Sequence, residues 1–166
     1  LMDRDDTPPL EPTHVNIAIP PGDVADGGFE AAMLAITRDG RTVAYSGRRD
    51  GVTRLYLRDL GSSEPRELAG SDGAHSPFFS PDGRWIAFVS GDKLKKMEVS
   101  GGPTFDLCRV SADRNGVWLD DGTIVISTHA TRPLSQVSSA GGELRVIAPL
   151  DSVAGERTHR WPDALP

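Results

Sequence analysis

Hydrophobic and polar residues follow one another along this chain in short stretches, each closed by a turn signal. The clearest stretch covers residues 79–90 and reads FSPDGRWIAFVS. Pro81 fixes one backbone angle, while Asp82 and Gly83 supply a side-chain acceptor and the positive φ of a tight turn. After Arg84, the residues from Trp85 to Val89 are all apolar. A short apolar run bounded by turn signals predicts a strand that is buried on both faces, within stacked sheets.

The same unit recurs twice, over Ile36–Ser46 and Trp118–Ser127. The three Asp-Gly pairs start at Asp39, Asp82 and Asp121, so they are 43 and 39 residues apart. A period of about 40 residues with several strands in each period is typical of the blades of a β-propeller. Short strands and frequent turns also agree with the 18 glycines, the 13 prolines and the apolar share of 37%.

We therefore predict an all-β fold, a β-propeller segment of about three four-stranded antiparallel blades plus flanking strands, half of a six-bladed ring. Residues 1–12 are acidic, contain prolines and are expected to form a linker, and Asp23–Glu30 is expected to be a loop. We also expect the chain to be a fragment, because it stops just before a fourth turn signal. The partial propeller over residues 13–166 then divides into a closing strand 14–19, blade one 32–69, blade two 76–110, blade three 116–148 and a first strand of blade four 158–166.

Charge and composition exclude several functions. The formal net charge of −6 argues against non-specific nucleic-acid binding, which requires a basic face. No run of 18 apolar residues occurs, so we expect no direct membrane insertion. Cys108 is the single cysteine, and its apolar neighbours indicate a small strand residue rather than a reactive thiol.

Motifs for catalysis and for metal binding are missing from the sequence. It contains no protein-kinase signature, no G-x-S-x-G nucleophile elbow and no H-E-x-x-H zinc motif. We therefore expect no catalytic residue, no cofactor and no metal site, so that this chain by itself is not an enzyme. Asp39, Asp82 and Asp121 could be interpreted as calcium ligands, but each has its own turn to cap, which favours a structural role.

The sequence offers candidate residues for a binding site at one mouth of the propeller channel. His75 and His159 hold equivalent places ahead of inner strands, where a ligand contact and a blade-to-blade hydrogen bond are both plausible. The predicted strand order brings basic residues to the same face, where they would form either a solvated rim or a site for an acidic partner or peptide carboxylate. These basic residues are Arg48, Arg49, Arg132 and Arg160.

The repeats also resemble a known family. The unit over residues 79–90, with the third turns SGG (100–102) and AGG (140–142), resembles the TolB-type (WD-like) β-propeller repeat. Over residues 13–166 the chain is more similar to the propeller that lies C-terminal to the kinase domain in bacterial, eukaryotic-like Ser/Thr protein kinases. The phrases that carry this similarity are IAIPPGD (17–23), GDKLKK (91–96), DGTIVI (121–126) and GERTHRWP (155–162).

The resemblance implies a non-catalytic module for protein–protein interaction or ligand sensing, from the sensor region of a bacterial Ser/Thr kinase. It implies an extracytoplasmic location, on the periplasmic or cell-surface side. Two alternatives stay open: the substrate-gating propeller of a prolyl-oligopeptidase-type serine peptidase, and a periplasmic TolB-type component that binds a lipoprotein. Open blade faces also predict self-association, with strand 14–19 of one copy near residues 160–165 of another.

Overall fold

The computed structural model describes residues 24–25, 34–62, 64–111, 115–128, 132–151, 153–157, 159 and 162–164. Over these residues the chain forms β-strands and turns, and no described helix is long and apolar enough to cross a membrane. The strands are β1 Val24–Ala25, β2 Leu34–Ile36, β3 Thr42–Arg49, β4 Val52–Asp59, β5 Arg66–Glu67, β6 Ala74–Phe79, β7 Trp85–Ser90, β8 Lys93–Glu98, β9 Phe105–Arg109, β10 Asn115–Trp118, β11 Thr123–Ser127, β12 Leu134–Ser138 and β13 Arg145–Ala148.

The strands form three antiparallel sheets, which we call blades one, two and three. Blade one contains β2 to β5 in sequence order, with β1 as an additional partner of β3. Blade two contains β6 to β9 and blade three β10 to β13, again in sequence order. Each blade is therefore a four-stranded meander, which confirms the predicted all-β propeller fold class.

The first blade differs from the sequence-based prediction at one edge. The segment Asp23–Glu30 was expected to be a loop, but Val24 pairs with Arg48 and Ala25 with Gly47. This pairing is possible because β3 extends to Arg49, beyond the repeat unit Ile36–Ser46. The predicted closing strand 14–19 lies outside the described residues.

The core lies between the blades, because the central strands send alternate side chains to opposite neighbours. Ile86 and Phe88 of β7 pack in one apolar cluster with Ala44 and Leu55 of blade one. Ala87 and Val89 of the same strand belong to a second cluster, which blade three completes with Trp118, Ile124, Ile126 and Val137. The predicted burial of both faces of this strand is confirmed, since residues 86–89 are at most 1% exposed.

The three Asp-Gly turns close in two different ways. In the first two, the backbone N–H groups of Thr37 and Ser80 donate to the carbonyl oxygens of Thr42 and Trp85, five residues later. In the third, the N–H of Leu119 donates to the carbonyl of Thr123, only four residues later. Relative to its Asp-Gly pair, the second strand of blade three therefore starts one residue earlier than that of blade two. With this shift, Ile124 and Ile126 pack against blade two.

A candidate binding cleft between the inner strands

The inner strands of the three blades border a common cleft. Strands β2, β6 and β10 are the first of their blades, and they line a cavity of about 390 Å³. Pro162 and Asp163, from the segment after blade three, complete its wall. We call this space the channel cleft, because in a propeller the first strand of each blade faces the central channel.

The wall of the channel cleft is largely apolar. Leu34 and Ile36 of β2 are 51% and 54% exposed, although both are large aliphatic residues. Phe78, Val117 and Trp118 line the same cavity from β6 and β10. Exposed apolar side chains in a concave surface are typical of binding sites, since their burial by a ligand is favourable.

The channel cleft continues towards the Asp-Gly turns and becomes charged there. A second cavity of about 410 Å³ shares Ile36, Trp118 and Asp163 with the first. Arg38 of blade one and Asp120 of blade three both line it, and they form an ion pair in which Arg38 Nη1 lies 3.3 Å from Asp120 Oδ1. This exposed ion pair links two blades that are not adjacent and lies across one end of the cleft.

The aspartates of the three Asp-Gly turns each accept hydrogen bonds from their own turn. Thr37 and Ser80 each donate a hydroxyl hydrogen bond of 2.6 Å to the Oδ1 of Asp39 and Asp82, respectively. These hydroxyl donors, followed by the N–H groups of Arg41 and Arg84, hold the pKa of the two carboxyls below the ordinary value. The N–H of Thr123 does the same for the pKa of Asp121. Within the described part of the chain, no three His, Cys, Asp or Glu side chains are grouped as metal ligands.

Cys108 is half-buried on β9. Burial raises the pKa of its thiol, which disfavours the reactive thiolate. The structure therefore agrees with the interpretation of Cys108 as a packing residue.

Four of the residues predicted for a channel mouth lie at the opposite ends of the strands from the Asp-Gly turns. Arg48 and Arg49 end β3, beside a two-residue turn at Asp50-Gly51. His75 is near the start of β6, and Arg132 lies in the connection from β11 to β12. Arg160 lies outside the described residues, so its place in this group is not described.

Arg48, Arg49 and His75 each have a local partner. Arg48 donates to the carbonyl of Gly51 at 3.3 Å, and the Arg49 guanidinium lies 5.4 Å from the ring centre of Tyr56. His75 Nδ1 is 3.3 Å from the carbonyl oxygen of Gly73.

His159 Nε2 is 3.3 Å from Glu156 Oε2, and its carbonyl oxygen accepts a hydrogen bond of 3.0 Å from the hydroxyl of Ser127. None of the five described residues of this predicted group lines the channel cleft. They are Arg48, Arg49, His75, Arg132 and His159. Their predicted role in binding stays a prediction.

Sequence reasoning did not identify the residues that do line the cleft. Leu34, Ile36, Arg38, Trp118 and Asp120 all fall within the predicted blades one and three, but the sequence predicted no binding role for them. One signal was available: each lies in the few residues before an Asp-Gly pair, on the strand that begins a blade. In a propeller, that position faces the channel.

Comparisons with known proteins agree with this fold. No family model matches the chain. An uncharacterized protein of Agrobacterium fabrum is 42% identical over 53 residues, which are 31% of this chain and 18% of that protein.

Three solved structures share the fold. The putative TolB of Agrobacterium tumefaciens has a TM-score of 0.61 and 23% identity, over 70% of this chain and 48% of that one. A chain of a nidogen–laminin complex has a TM-score of 0.58 and 15% identity, over 74% and 53%. The AtxE2 isopeptidase has a TM-score of 0.56 and 17% identity, over 81% and 32%.

The chain thus spans about half or less of the length of the proteins it matches. Its structural neighbours are TolB-type and other β-propeller proteins, and at these identities the likeness shows the fold alone.

Proposed function

We propose that this chain is a non-catalytic β-propeller module that binds a segment of a protein partner in the channel cleft. The observation that carries the proposal is the exposure of Leu34 and Ile36 in a concave wall beside Trp118. Two exposed aliphatic side chains next to an indole form an apolar surface that a partner's side chains can cover. The Arg38–Asp120 pair at one end supplies polar groups that can orient the bound segment.

The larger protein, in this proposal, is a bacterial Ser/Thr kinase in which the propeller is the extracytoplasmic sensor region. The sequence phrases that resemble such propellers support this context. The longest of these phrases outside the repeats is GERTHRWP at 155–162. Sequencing of the flanking gene tests it. Kinase catalytic motifs upstream, followed by a membrane-spanning segment, are the expected result, and their absence would contradict the kinase context.

Two alternatives keep the fold and change the context. A substrate-gating propeller of a serine peptidase is supported by the likeness to the AtxE2 isopeptidase, which covers 81% of this chain. A TolB-type lipoprotein-binding component is supported by the likeness to the putative TolB. A hydrolase domain downstream in the gene favours the first, and a signal peptide at the start of the gene without a kinase favours the second.

Selection of peptides from a random displayed library tests the binding role directly. Peptides that bind the chain are synthesised, and their affinities are measured for three proteins: wild type, Ile36→Asp and Val146→Asp. Val146 is the matched control, because it is also an exposed aliphatic strand residue but lies on β13, away from the cleft.

We expect Ile36→Asp to weaken the selected peptides by about tenfold or more, because a charge replaces a central apolar contact. Val146→Asp should leave their affinity unchanged. Peptides that bind wild type and Ile36→Asp equally well would contradict binding in the channel cleft.

A further inference from the structure

A third pocket lies at the seam between blades two and three, on the side of the Asp-Gly turns. It has a volume of about 360 Å³, and we call it the seam pocket. The indoles of Trp85 and Trp118 form its apolar wall, and the carboxylates of Asp82 and Asp120 lie on its lining. The pocket thus combines two aromatic surfaces with two acidic groups, and both features favour a cation.

A cation of the chain itself already lies against these rings. The Nζ atom of Lys96 is 4.6 Å from the ring centre of Trp85 and 6.0 Å from that of Trp118. Its neighbours on β8 behave differently, because Lys93 and Lys95 both form ion pairs with Asp106. The ammonium of Lys96 therefore lies against aromatic rings, and the same two indoles line the seam pocket.

The acidic side of the pocket also carries a cation of the chain. Arg38 Nη1 lies 3.3 Å from Asp120 Oδ1 and 3.4 Å from Oδ2, and both side chains are exposed to solvent. Exposed ion pairs are weak, because solvent and salt screen them. Arg38 and Lys96 are thus cations of the chain that contact residues of the pocket lining, namely Asp120 and the two indoles, and a competing cation can replace these contacts.

We propose that the seam pocket binds an arginine side chain of a protein partner, which displaces Lys96 from the indoles and shares Asp120 with Arg38. Arginine fits better than lysine, because its planar guanidinium stacks on an indole and binds a carboxylate through two N–H groups. The net charge of −6 favours a basic partner as well. The seam pocket shares Trp118 and Asp120 with the channel cleft, but it does not use Leu34 or Ile36, so the proposal adds a second binding position to the proposed function.

The test uses the peptide acetyl-Gly-Arg-Gly-amide, with citrulline in place of arginine as the neutral probe of the same shape. Binding is followed by NMR through the indole N–H signals of Trp85 and Trp118, which single Trp→Phe variants assign. We expect both signals to move with the arginine peptide, and binding of the citrulline peptide to be weaker by about tenfold.

Two pairs of variants separate this site from general charge effects. Lys96→Met should strengthen binding of the arginine peptide by about threefold or more, because it removes the resident cation. Lys95→Met is its control: it removes the same charge one residue away on β8, from a side chain that pairs with Asp106.

Asp120→Asn should weaken binding of the arginine peptide by about threefold or more, because it removes the carboxylate that pairs with the guanidinium. Asp92→Asn is its control, because Asp92 forms an exposed ion pair with Arg109 at the other end of blade two. Equal binding of the two peptides, or equal effects of a variant and its control, would overturn the proposal. Loss of channel binding in Ile36→Asp, with the arginine peptide still bound, would show that the two sites are separate.

Discussion

At the scale of single residues, a small hydroxyl decides how the first two Asp-Gly turns are built. The hydroxyl of Ser80 donates to Asp82 Oδ1 and accepts a hydrogen bond of 2.9 Å from the N–H of Trp85. Thr37 makes the same two contacts in blade one, with Asp39 and with the N–H of Thr42. Leu119 holds the corresponding place in blade three and has no hydroxyl, and that turn closes one residue earlier.

Ser80→Ala should lower the free energy of unfolding by about 1–2 kcal/mol, because the N–H of Trp85 and the carboxylate of Asp82 both lose a partner. Urea unfolding followed by tryptophan fluorescence measures this difference. Ser100→Ala is the control, since the hydroxyl of Ser100 makes a comparable bond of 2.9 Å to Glu98 on the surface. A loss no larger than that of the control would show that the hydroxyl does not hold the turn.

At the scale of strands, the contact between blades two and three depends on a position without a side chain. Gly116 lies on β10, and a Cβ atom there would be 2.6 Å from Cε1 of Phe78 on β6. Phe78 is buried in the cluster between these two blades. The inner strands approach each other closely only because β10 carries a glycine at this point.

Gly116→Ala should therefore destabilise the protein by roughly 1–3 kcal/mol, since the ring of Phe78 has to move out of a packed position. The matched control is Gly61→Ala, because a Cβ atom at Gly61 meets no atom within 4 Å. Urea unfolding of both variants measures the difference. The double variant Phe78→Leu with Gly116→Ala should recover part of the loss. A Gly116→Ala protein as stable as Gly61→Ala would contradict this account of the seam.

The sequence predicts strands and turns well where the signals are local. Pro81, Asp82 and Gly83 specify their turn without help from the rest of the chain, and the apolar run after them specifies a buried strand. The pairing of Val24–Ala25 was missed because the end of β3 decides it, not the Gly-rich segment itself. The site was missed for a related reason: Ile36, Phe79 and Trp118 meet only when three blades pack side by side.

At the scale of the whole molecule, the outer edge of blade three differs from the other outer edges. Strand β13 pairs with β12 on one side, and no described strand pairs with its other side. Its residues Val146 and Ile147 are 59% and 41% exposed. The outer strand of blade two exposes one large apolar residue, Phe105, but it also carries Asp106 and Arg109, which form ion pairs. An unpaired edge with exposed aliphatic residues is a site for association, whereas charged residues on an edge oppose it.

We therefore expect the chain to associate through β13, so that its mass in solution rises with concentration. Light scattering behind size-exclusion chromatography measures this mass. Val146→Lys should give a monomer, because a charge on the edge opposes strand pairing. Ser100→Lys, which adds the same charge at an exposed polar position, should associate like wild type. A wild-type monomer at every concentration would exclude association. A dimer that Val146→Lys leaves intact would instead favour the pairing predicted from the sequence, between residues 14–19 and 160–165, because that contact does not involve β13.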